Sequence, residues 1–223
     1  MAKITEPFEF RQCISILKAT GRKARTLKEL RNLIAISSDE AVFHHTYQYF
    51  LKGHIMEYTN DFAHWAGESL EERVLAEHLS NIDVFAYRDI SKLREKILLQ
   101  IDTYLETFPE PREAMAGEEF YFNETITLVF HVGIRVKNLA EFLMALKYID
   151  AGSIYYHFYE ARMRLGEGVG DFSKWIKDVF KKEELAAKIA SIDPFMHNIE
   201  KIREHLIEYL EQEVHRDMEE VQS

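Results

Sequence analysis

The sequence predicts a mainly α protein built as two pseudo-symmetric helical-bundle repeats, with a minor β contribution at the start of each repeat. Two observations carry this expectation. The chain contains itself twice, since residues 8–51, moved forward, fall without a gap on 120–163. Internal repetition constrains a fold before any local propensity does. Behind the opening stretch of each copy, apolar residues recur at helical spacing after polar capping residues.

The correspondence is residue by residue. Phe8 and Phe10 align with Phe120 and Phe122, Gly21 with Gly133, Leu27 and Glu29 with Leu139 and Glu141, and His45 and Tyr47 with His157 and Tyr159. After a two-residue deletion Asp61, Phe62 and Trp65 align with Asp171, Phe172 and Trp175, and Ile82-Asp83 with Ile192-Asp193. The expected organisation is a His-rich repeat over 1–106, a linker over 107–119 and a second repeat over 120–223. The linker holds two of the four prolines and has no apolar period, as a tether would.

Each element follows from its residues. The stretch 120–132 is rich in β-branched and aromatic side chains and reads as a strand. Its counterpart 8–20 fits strand or helix; homologous copies share a fold, which favours a short strand at the Phe-x-Phe end. Thr26-Leu27-Lys28-Glu29 and Asn138-Leu139-Ala140-Glu141 have capping-box form, and apolar residues follow at one-face spacing. A second helix starts near Ser37 and near Ser153 and carries the His-x-Tyr residues. Asp61 and Asp171 stand where an N-cap belongs, each opening a short helix with a Trp expected in the core. A further helix ends at Ile-Asp-x-Phe, and a long amphipathic helix closes each copy.

Composition narrows the function classes. With 47% apolar and 30% charged residues the chain is of ordinary soluble globular type. The single Cys13 rules out an intramolecular disulfide framework. No apolar run approaches a membrane span, and cytoplasmic residence is the expected default. A net charge of −10 disfavours a general role on nucleic acid or anionic membrane, which needs a basic face. Lys18, Arg22, Lys23, Arg25, Lys28 and Arg31 form a local basic exception.

Three sets of residues invite chemistry. His45 with Asp61 and His157 with Asp171 have the make-up of a general acid/base pair, a carboxylate orienting an imidazole. Their retention in both copies speaks for a structural role, because a duplicated catalytic site is usually lost from one half. His44, His45, His54 and Asp61 could supply imidazole and carboxylate ligands to a transition metal. The spacing matches no standard zinc pattern, and the ferritin-type Glu-x-x-His pair is absent. Neighbours on a helix diverge by about a quarter turn, so only one of His44 and His45 points inward, and the repeat favours His45. Gly21, Lys23 and Arg25, with Arg135 and Lys137 in the second copy, lie just before a helix N-terminus, where unpaired N–H groups favour anions. Arg162, on the His157 helix, reads as part of a salt-bridged surface. No phosphate loop, nucleophile elbow, Cys-x-x-Cys or dinucleotide fingerprint is present.

At Thr20-Gly21-x-Lys23-Ala24, His44-His45-Thr46, Asn60-Asp61-Phe62-Ala63-x-Trp65, Ser153-Ile154-Tyr155-x-His157 and Asp171-Phe172-Ser173-x-Trp175, the chain resembles a bacterial and archaeal family catalogued only as a domain of unknown function. The resemblance covers nearly the whole chain. It departs at Tyr47, where the family often has another His, and at Gly170, which replaces an Asn; both departures count against a metal there. It implies no established activity. The expectation is therefore a ligand- or partner-binding protein, for a small anionic ligand or another protein, with no cofactor named by the sequence. The alternatives are a metal-dependent hydrolase or oxidoreductase using the His cluster of the first copy, and a purely structural scaffold.

Overall fold

A computed structural model describes residues 6–48, 57–87, 89–164, 169–194 and 196–222. Two strands, β1 (Phe8–Ala24) and β2 (Phe120–Val136), pair as an antiparallel two-stranded sheet. Each has 17 residues, well beyond the usual strand length. Helices α1 (Leu27–Ile36), α2 (Asp39–Thr46), α3 (Asp61–Glu68), α4 (Arg73–Ser80) and α5 (Ile90–Thr107) lie between the strands in sequence. After β2 come α6 (Leu139–Tyr148), α7 (Ala151–Ile154), α8 (Ala161–Arg164), α9 (Asp171–Trp175), α10 (Glu183–Ala190) and α11 (Ile199–Gln222). Two π-helical segments, Tyr155–Glu160 and Ile176–Phe180, continue α7 and α9.

The chain divides into a central unit, Ser15–Thr127, and a terminal unit, Met1–Ile14 with Leu128–Ser223. The division runs through both strands, and residues 107–119 fall inside the central unit. There Ala114 is buried, its N–H donates to Arg25 O at 2.9 Å, and its carbonyl accepts from Arg25 Nε at 3.2 Å.

This arrangement overturns the expected mainly α pair of pseudo-symmetric helical bundles. The chain is 59% helix and 17% strand, an α+β protein with one ribbon rather than a short strand edging each repeat. The Phe-x-Phe end of the strand that opens each copy does not pack on the helices that follow it. In the central unit Phe120 lies 5.3 Å from Phe62 and 5.9 Å from Trp65, ring centre to ring centre. In the terminal unit Phe10 stacks on Phe142 at 5.5 Å, and Phe8 lies 5.4 Å from Trp175. The reason is strand length: an extended strand of this size carries its first residues well away from the helix that follows its last. Gly21 and Gly133 sit within the strands at φ +75° and +76°, with open space where a Cβ would be. They are glycines for that left-handed backbone, which bulged strands use to bend, and not for close packing.

The helices follow their local signals. Thr26 Oγ1 accepts from Glu29 N–H at 3.1 Å while Glu29 accepts from Thr26 N–H at 3.2 Å, a complete capping box. Asn138 caps α6 in the same way, but Glu141 reaches back to Lys137 N–H, at 2.7 Å. Leu27, Leu30 and Ile34 form the buried stripe of α1, and Leu93, Ile97, Ile101 and Tyr104 extend that of α5. Trp65 and Trp175 are both buried. Their indole N–H groups donate to Glu118 O at 2.7 Å and Glu6 O at 2.9 Å, each just before the Phe-x-Phe it receives.

Candidate functional site

Asp61 and Asp171 do not cap their helices. Asn60 caps α3, accepting from Ala63 N–H at 2.9 Å, and α9 has Gly170 at the cap with no side-chain bond. Both carboxylates instead face imidazoles. Asp61 Oδ2 lies 2.6 Å from His45 Nδ1, and Asp171 Oδ2 lies 2.7 Å from His157 Nδ1. The second nitrogen of each ring meets a strand: Asn123 N–H donates to His45 Nε2 at 3.0 Å, and Arg11 N–H donates to His157 Nε2 at 2.8 Å. A backbone N–H can only donate, so Nε2 is the acceptor and Nδ1 carries the proton given to the carboxylate. Each histidine thus clips strand backbone to a helix. Phe120 and Phe8 cover the two rings at 4.8 Å.

That geometry limits the chemistry. A general base needs a lone pair within reach of a substrate proton, and the Nε2 lone pair of both histidines already holds a backbone hydrogen. The same occupancy bears on a metal. His44, His45 and Asp61 bring one possible ligand atom each within 4.8 Å of one another. His54 lies outside the described residues. His44 Nδ1 is 2.9 Å from Thr125 Oγ1 and 3.1 Å from Gln48 Oε1. A cation could reach His45 only by displacing the Asn123 N–H or the proton shared with Asp61.

The basic residues flanking the repeat glycines are largely neutralised within the chain. Lys23 pairs with Glu119 at 3.1 Å, Arg25 with Glu113 at 3.5 Å and Arg135 with Glu9 at 2.8 Å. The Glu119 carboxyl falls to about 2, held down first by its own backbone N–H and then by Lys23. Lys137 is exposed, and Gly21 serves the strand backbone. Gly21, Lys23 and Arg25 fall in the central unit, and Arg135 and Lys137 in the terminal unit.

Other residues behave differently from their sequence reading. Arg162 is buried rather than at the surface; its Nη2 donates to Ala190 O at 3.0 Å and Ile192 O at 3.2 Å, and its guanidinium lies over Phe158. Burial pulls its pKa down. Tyr47 donates to Val84 O and Tyr159 to Pro194 O, and burial raises both phenols. Tyr47 thus has a structural partner where a histidine ligand was at issue.

Two features escaped the sequence. The first is a row of exposed apolar side chains along the strands: Ile14, Leu128, Val129, Phe130 and Ile134 in the terminal unit, and Ile16, Leu17 and Ile126 in the central unit. Apolar alternation signals a strand but not which face is covered. The second is a set of cavities in the terminal unit. One of about 360 Å³ is lined by Arg11, Tyr156, His157, Asp171, Lys174 and Trp175, among others. Another of about 360 Å³ lies against α10.

A family described as "Family of unknown function (DUF5752)" matches residues 5–211. The chain belongs to the DUF5752 family. Among solved structures, this DUF5752 chain is similar to OrfY from Thermoproteus tenax, with 30% sequence identity and a TM-score of 0.79. The match covers 95% of this chain and 97% of that one. No curated protein matches the sequence. Among the described residues, no helix is long and apolar enough to cross a membrane.

Proposed function

We propose that this chain is a binding protein that docks another protein against the exposed apolar stretch of β2 in the terminal unit, 128–134, and that the partner presents an apolar surface with an acidic rim. The observation that carries this reading is the row of uncovered apolar side chains. Ile14 is 51% exposed and Phe130 44%. Leu128 and Phe130 alternate along β2 and share one face. Apolar side chains gathered in this way on a soluble surface mark interaction sites.

Charge specifies the partner. Lys18 and Lys23 of β1 pair with Glu124 and Glu119, but Arg11, in the same unit as Phe130, has no ion-pair partner among the described residues, in a chain whose net charge is −10. Complementary rims speed encounter and reject wrong partners. A second copy meeting this one strand to strand would oppose cations to cations. The His–Asp pairs support binding over catalysis, because their nitrogens are already engaged.

The test is retention of a partner by the tagged chain expressed in its own source organism. The expected result is one acidic protein held in fixed ratio, released by raised salt, lost in Phe130→Asp and weakened in Arg11→Glu. Phe130 is exposed and the Arg11 side chain is half-buried without an ion-pair partner among the described residues, so both variants should melt as the parent does. A protein retained equally by both variants would end the reading. A purified chain that is dimeric by light scattering, and monomeric in Phe130→Asp, would replace the acidic partner with a second copy.

A further inference from the structure

We propose that the cavity between α10 and the helical segment 171–180 binds a small zwitterion of the α-amino-acid class. The cavity lies within the terminal unit and measures about 360 Å³, room for a small organic molecule. Ser173 lines it, with Lys174, Lys177, Asp178 and Glu183 and with alanines of α10 that leave space for an aliphatic group.

Ser173 is the observation that points to a ligand. The residue is 4% exposed, and its Oγ has no hydrogen-bond partner. Buried hydroxyls are nearly always satisfied, and an orphan needs a reason. A serine hydroxyl has three staggered positions about Cα–Cβ, so a ligand carboxylate in the cavity can draw it into a hydrogen bond. The charges set the ligand class. Among the described residues Lys177, Asp178 and Glu183 have no ion-pair partner, so both signs are on offer around one cavity. A simple anion would meet the two carboxylates, and a simple cation would meet the lysine ammonium groups. A zwitterion satisfies both, its carboxylate on Ser173 and Lys177 and its ammonium on Asp178 and Glu183. Lys177 and Asp178 lie in a π-helical segment, a rare geometry frequent at functional sites.

The test is a thermal-shift and titration series on the full chain. Free L-amino acids are added singly, each beside its deaminated acid and its decarboxylated amine. At least one amino acid should raise the melting midpoint, with neither analogue doing so. Ser173→Ala should weaken that amino acid by roughly tenfold or more, the loss of a hydrogen bond to a charged group. It should not destabilise the unliganded chain, because it removes a hydroxyl that has no partner. Ala187→Leu, an exposed rim position, should abolish binding by filling the cavity. No shift with any amino acid, a shift retained by both variants, or an acid analogue as effective as its parent would each overturn the proposal. None of these results bears on the docking of a protein at Phe130, which is read by partner retention.

Discussion

Gly170 stands where the first copy has Asn60, and the reason for the exchange is local. Asn60 Oδ1 caps α3 through Ala63 N–H, and its Nδ2 donates to Leu79 O at 3.0 Å. A Cβ at Gly170 would come within 2.9 Å of His157 O and 3.1 Å of Phe158 O, closer than side chains approach a backbone. Gly170→Asn should therefore destabilise by about 1–3 kcal/mol, as overpacking does, although asparagine is the better cap. Denaturant melts check this, and a stabilised variant would show that the backbone gives way. The histidines bear a second expectation at this scale. Because both His45 nitrogens are engaged, zinc should leave the melting midpoint of the wild type unchanged. A zinc-dependent rise that disappears in His45→Gln would reinstate the metal.

At the level of elements, the decisive contact is the Phe-x-Phe end of each strand. Phe10 and Phe122 are essentially inaccessible to solvent, and large aromatic deletions in a core cost about 3–5 kcal/mol. The effect should appear across the sequence repeat. Phe10→Ala should weaken the unit that contains Trp175, and Phe122→Ala the unit that contains Trp65. Single-tryptophan variants, Trp65→Phe and Trp175→Phe, separate the two signals in denaturant titrations. If Phe10→Ala shifts the Trp65 transition and leaves that of Trp175 in place, the strand assignment is wrong. Ion pairs such as Arg31 with Asp102, bidentate at 2.8 Å but partly exposed, add little to either unit.

For the whole molecule, the folding unit is not the sequence repeat. A fragment spanning 1–106 holds the helices of the central unit but lacks Phe120 and Phe122, which fill its core. A fragment spanning 15–127 contains both. The shorter fragment should fail to melt cooperatively, and the longer one should show a sigmoidal transition by circular dichroism. Cooperative folding of 1–106 would mean that Phe8 and Phe10 can serve the helices that follow them.

The sequence by itself determined the helices, the caps at Thr26 and Asn138, the burial of both tryptophans and the recurrence of His with Asp. These are decided within a few turns of chain, by side chains whose partners are close in sequence or whose size demands a core. It did not determine which core each Phe-x-Phe enters. Phe8-Glu9-Phe10 and Phe120-Tyr121-Phe122 offer nearly the same apolar surface, so composition cannot choose between two equivalent slots. Only the length and pairing of the strands made that choice, and with it the replacement of two expected helical bundles by units that each take in a Phe-x-Phe from the other copy. The same limit hid the roles of Asp61 and Asp171. A carboxylate at a helix start reads locally as a cap, and only tertiary structure brings an imidazole to it and takes the capping role away.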